Sequence, residues 1–148
     1  MTTDALTPFS TDASVRRVGQ GLLDRSLAKA EWTHEAHLAA CLWLLRERPD
    51  IAPERDLPAI IRAYNVSVGG ENTDSAGYHE TLTQLYVTAI RRFSATLPPE
   101  TPLAEAVHRL LASEIAARDW PLRFYSRDRL FSIEARRHFV EPDLQQVG

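Results

Sequence analysis

An all-α fold is what the sequence predicts, and three observations predict it. Apolar residues recur at three- and four-residue spacing along most of the chain, and no segment alternates with period two over a strand length. The breaks between periodic stretches fall at capping residues, prolines and glycines. The expected architecture is a compact helical bundle of about five main helices plus a C-terminal arm of short helices. It forms a single domain over 1–148, in which 1–10 are flexible and 118–144 make the arm.

The elements follow in order. A first helix is predicted from about Asp12 to Ala28, with Thr11 or Asp12 as cap and Val15, Val18, Leu22 and Leu23 on one face. Thr33 caps a second, which runs to about Arg48 and stops before Pro49. Leu57, Ile60, Ile61, Tyr64 and Val68 give a third over Glu54 to Val68, closed by Gly69-Gly70. The fourth runs from Ser75 to Ala95 on the stripe Tyr78, Leu82, Leu85, Ala89 and Phe93. Thr101-Pro102 opens a fifth in the cap-then-proline order. Ser126 and Ser132 read as caps of two short helices in the arm.

Composition bounds the function. Against 20 acidic side chains stand 17 basic ones, a net charge of -3, which offers nucleic acid no general attraction. No apolar run approaches the roughly 20 residues a membrane helix requires. The first residues lack the basic and apolar regions of a secretory signal. One cysteine, Cys41, permits no internal disulfide and fits a reducing, cytoplasmic setting. All basic residues but Lys29 are arginine, and in the arm they interleave with carboxylates. That alternation predicts at least two carboxylate pairs among Arg127, Arg129, Arg136 and Arg137. The partners left are a small molecule, a metal, or a second copy in a homodimer.

Two polar clusters interrupt the apolar pattern: Trp32-Thr33-His34-Glu35-Ala36-His37, and Asn72 to Thr81 with Tyr78, His79 and Glu80. At about 100° per residue, His34 and His37 share a face with Leu38, Cys41 and Leu45, while His79 flanks Leu82 and Tyr86. His34, His37 and His79 are therefore an expected metal triad, for one divalent ion such as zinc, which needs three protein ligands and an open position. Tyr64, Asn65, Asn72, Tyr78 and Glu80 are the expected ligand-contact groups. The bland reading makes the same histidines buried, neutral and bonded to backbone. Glu80 would then serve its helix N-terminus and Cys41 would be an inert thiol.

Other chemistries lack their residues. Glu31-x-x-His34 and Glu105-x-x-His108 imitate a di-iron pattern but do not face inward together. His34-Glu35-Ala36-His37 is one residue too short for a zincin, and no nucleophile elbow, phosphate loop or dinucleotide fingerprint is present.

The blocks Trp32-Thr33-His34-x-x-His37-Leu38, Tyr64-Asn65-x-x-x-Gly69-x-x-Asn72-Thr73, Gly77-Tyr78-His79-Glu80-Thr81 and Tyr125-Ser126-x-x-x-Leu130-x-Ser132-x-x-Ala135-Arg136 resemble an uncharacterised family of small bacterial proteins. The resemblance spans about Trp32 to Leu144 and implies no activity. By weaker analogy the chain is similar to DinB-like bundles, which hold a metal with three histidines. Their pattern is one early histidine and a late His-x-x-x-His, whereas the paired histidines here come early. The expected function is metal or small-molecule binding in a His-lined pocket, with hydrolysis as a chemistry it could support. The alternative is a non-catalytic interaction or scaffold domain. On the first reading, His79→Ala should cost less than about 1 kcal/mol.

Overall fold

The computed structural model describes residues 4–148, and all regular structure among them is helical. Helix α1 spans Asp12–Asp24, α2 His34–Glu47, α3 Pro53–Ser67, α4 Glu80–Ala95 and α5 Leu103–Leu111. The arm holds two 3-10 turns, Glu114–Ala116 and Trp120–Arg123, then α6 (Arg127–Leu130) and α7 (Ile133–Arg137).

Local chemistry sets most boundaries. Thr11 and Ser14 form a reciprocal capping box at the start of α1. That helix ends earlier than Ala28 because Arg25 turns left-handed, at φ 64°, and Asp24 accepts from the Ser26 backbone. Thr33 accepts from Ala36 N at 3.1 Å, and Pro53 opens α3 in its first turn, where its missing N–H costs nothing. Ser126 and Ser132 cap α6 and α7 as expected.

Helix α4 starts at Glu80 rather than Ser75. Residues 72–77 form a turn instead, pinned by Asn72 Oδ1, which accepts from Tyr78 N at 3.1 Å and Asn65 Nδ2 at 2.9 Å. Gly77 sits there at φ 83°, and a Cβ would come within 2.0 Å of Glu71 O.

Helix α2 is the axis, with Ala36, Leu38, Ala39, Ala40, Leu42, Trp43 and Leu44 all buried. Helix α1 crosses it where Gly19 meets the Trp43 ring, so closely that a Cβ would lie 2.1 Å from it. Helices α3, α4 and α5 complete this core. The other face of α4 carries Leu85 and Ala89 into a second core with Trp120, Phe124, Tyr125, Leu130, Ala135 and Val140 of the arm. Inside it Tyr125 donates to Val140 O at 2.6 Å. No helix among the described residues is long and apolar enough to cross a membrane.

The N-terminus carries structure that the sequence pattern did not announce, and one expectation about the arm is corrected. Residues 1–3 lie outside the described residues, but Asp4–Phe9 forms a 3-10 helix and Phe9 is fully buried, accepting from the His108 ring at 2.7 Å. Of the four arm arginines, only Arg137 finds a carboxylate among the described residues, Asp74, in a two-point contact at 2.7 and 2.6 Å. Arg129 donates to Glu141 O, and Arg136 to Gly77 O and Tyr78 O. The irregular arm and the loop before α4 leave carbonyls unpaired by a helix, and the Arg129 and Arg136 guanidinium groups satisfy them.

Candidate functional site

A cavity of about 520 Å³ opens between the first turn of α2, the middle of α3 and the first half of α4. That size lies within the range of small-molecule sites. Leu38, Leu57, Ile61, Val87 and Ile90 make its apolar walls, and His34, His37, His79, Asn65 and Tyr78 also line it. Five residues expected from the sequence are thus brought together. Three are not. Tyr64 is buried with its hydroxyl on Leu27 O at 2.7 Å, Asn72 pins the 72–77 turn, and Glu80 accepts from Tyr78 Oη at 2.6 Å.

The three imidazoles differ in what their ring nitrogens do. A carbonyl can only accept, so each nitrogen facing one carries the proton. His79 donates from Nε2 to Leu130 O at 2.8 Å, and its Nδ1 accepts from Leu82 N at 3.2 Å as the cap of α4. Both nitrogens are spent, and the residue is buried. His34 donates from Nε2 to Ala116 O at 3.0 Å, binding the Glu114–Ala116 turn to α2. His37 donates from Nδ1 to Thr33 O at 2.7 Å, which leaves Nε2 with its lone pair and no partner among the described residues.

The geometry does not bring the expected metal triad together around one ion. No group of three His, Cys, Asp or Glu side chains among the described residues is placed to hold a metal ion. His79 also has no nitrogen to give. An imidazole that caps a helix and bonds a carbonyl would have to break both contacts to ligate.

His37 stacks on Trp32 with ring centroids 3.8 Å apart and planes 27° from parallel, and Trp32 meets Tyr64 edge-on at 5.5 Å. His37 is exposed to solvent at the cavity mouth, although protein atoms crowd the ring closely on its other sides. Desolvation there pulls its pKa down to about 4; the Thr33 carbonyl opposes the shift and His34 adds to it. Burial likewise lowers His79, against the Leu130 carbonyl and with help from Arg136. At neutral pH, then, His37 Nε2 is an acceptor. The Trp32 indole N–H is a buried donor without a protein partner. Burial pushes the Cys41 thiol up to about 12, which leaves it inert.

Sequence reasoning missed Trp32, Tyr86, Thr83 and Arg118 as lining residues. Trp32 adjoins the histidine cluster and was open to detection. Arg118 arrives from a turn more than 80 positions after His34, and no local pattern announces it.

No family model matches this chain, nor does any curated protein or solved structure.

Proposed function

We propose that this protein binds a small organic molecule in the cavity between the starts of α2 and α4. The observation behind the reading is the unpaired Nε2 of His37, an acceptor set in apolar walls. Asn65 spends its amide donor on Asn72 and has its oxygen left for a ligand. Apolar walls with a few convergent polar groups are the usual make-up of a small-molecule site. Binding ranks above hydrolysis for a physical reason. A general base works best with a pKa near the working pH, and His37 lies well below it at about 4. No activated nucleophile stands beside it: Cys41 is a protonated thiol, and Thr83 donates its hydroxyl to His79 O. A reducing, cytoplasmic location fits the single buried thiol, and kinship with the uncharacterised bacterial family rests on the shared sequence blocks.

The test is a screen of small aromatic and aliphatic fragments by amide chemical-shift changes. The expected result is a set of binders whose shifts cluster at α2, α3 and α4 around the cavity, and whose binding is lost when Ile61→Trp fills it. Fragments that bind only elsewhere, or none at millimolar concentration, would overturn the reading.

A further inference from the structure

We infer that the cavity's ligand is a monocarboxylate with an apolar body, its charge held by Arg118 where two cavities meet. This rests on the small-molecule reading above and adds the chemistry of the ligand. A second cavity of about 240 Å³ adjoins the first, and His34, Leu82, Tyr86 and Arg118 line both. Among the described residues, Arg118 is the sole formally charged side chain along either wall, since no Asp, Glu or Lys lines them. The one formal charge on the lining thus favours an anionic ligand over a cationic one.

Arg118 is also free to act. It is exposed, and no carboxylate lies within ion-pair distance of it among the described residues. Eight of the sixteen arginines pair with a carboxylate among the described residues, and of the eight that do not, Arg118 is the one that lines the cavities. The His34–Ala116 bond holds the preceding turn against α2, two residues before Arg118. His34 is in this sense a positioning residue, and its bond fixes the approach of the guanidinium to the rim. Arg118 also stands near enough to Tyr86 to oppose the burial that pushes that phenol up to about 12.

The head group follows from charge and geometry. A guanidinium presents a planar fork that fits a carboxylate at two points. A phosphomonoester would bring close to two negative charges to a single cation. The apolar walls of the larger cavity take the rest of the molecule, and His37 Nε2 accepts from any hydroxyl or N–H it carries.

The experiment is calorimetric titration of wild type and Arg118→Gln with 4-phenylbutyrate, 4-phenylbutanol and 4-phenylbutylamine as probes near neutral pH. In wild type the acid should bind about tenfold more tightly than the alcohol, with the amine weakest. In the variant, the acid should fall to the affinity of the alcohol, which itself stays unchanged. Equal binding of acid and alcohol to wild type would overturn the inference and leave the cavity reading intact. A preference for the acid that survives Arg118→Gln would also overturn it. Failure of all three probes would count against both the inference and the reading beneath it.

Discussion

The starts of α2 and α4 look alike in sequence and do opposite things. Each sets histidine in a first helical turn among capping residues, and each histidine lines the same cavity. At α2 the cap is Thr33, a conventional one, and His37 keeps a ring nitrogen open. At α4 the histidine is itself the cap, and its other nitrogen bonds the arm at Leu130. Thr81, two residues further on, donates to Ala135 O at 2.7 Å and accepts from Val140 N at 3.2 Å. His79 at α4 is a lock for the arm; at α2 His34 ties the Glu114–Ala116 turn, and His37 is left as a wall of the cavity. The difference teaches that a histidine's role is decided by whether the backbone leaves either nitrogen over.

The largest effect should come from removing what the α4 lock holds. Deleting residues 121–148 strips Phe124, Tyr125, Leu130 and Val140 from the second core and leaves His79 Nε2 and the Thr81 hydroxyl without their arm partners. At about 1.5–3 kcal/mol for each large buried side chain, the loss should exceed about 5 kcal/mol and leave no cooperative melt. An unchanged melting temperature would break the comparison at once.

His79→Ala should come next, at about 2–4 kcal/mol in chemical denaturation. It removes a cap, worth about 0.5–2 kcal/mol, and leaves the buried Leu130 carbonyl unpaired, worth about 1–3 kcal/mol. This reverses the sequence expectation of a loss below about 1 kcal/mol, because spacing said nothing of the two bonds. His37→Ala should cost about 1 kcal/mol or less, mostly the lost stack on Trp32. Equal losses in the two variants would erase the distinction.

Acid gives a smaller, sharper contrast. Both imidazoles titrate lower folded than unfolded, so the unfolded chain takes up protons first and stability falls as pH drops. For His37 the fall begins near the ordinary value of 6.5 and ends at about 4. Above that window the shift contributes nothing. The salt-bridged carboxylates act lower: Arg55 and the Ala52 backbone hold Asp56 down at about 2. Denaturation midpoints across the window should therefore slope downward towards acid in wild type and more gently in His37→Ala. Parallel slopes would show that His37 does not sit in the cavity wall as described.

Much of the fold was legible because local chemistry wrote it. Thr33, Pro53, Ser126 and Ser132 set helix starts where their side chains say they should, and the α2 periodicity turned His37 to the cavity. The α4 start was misplaced because an imidazole is an uncommon cap, whereas the Asn72–Ser75 run looks like a better one. The differing roles of His37 and His79 were hidden for a related reason: spacing places rings on a face but cannot count the lone pairs that backbone groups consume. Tyr64 shared the apolar stripe of α3, yet its hydroxyl partner, Leu27 O, lies 37 positions away. Arg118 and the arm's carbonyl contacts are equally long-range and left no local trace.

The most direct test is to read the protonation of the two rings by nitrogen-15 imidazole correlation spectra. The account predicts two different neutral tautomers at neutral pH. His37 should carry its proton on Nδ1 with a bare Nε2, and His79 should carry it on Nε2 with Nδ1 held by the Leu82 amide. A common tautomer for both, or rings that exchange freely between the two forms, would contradict the division of the site into a wall and a lock.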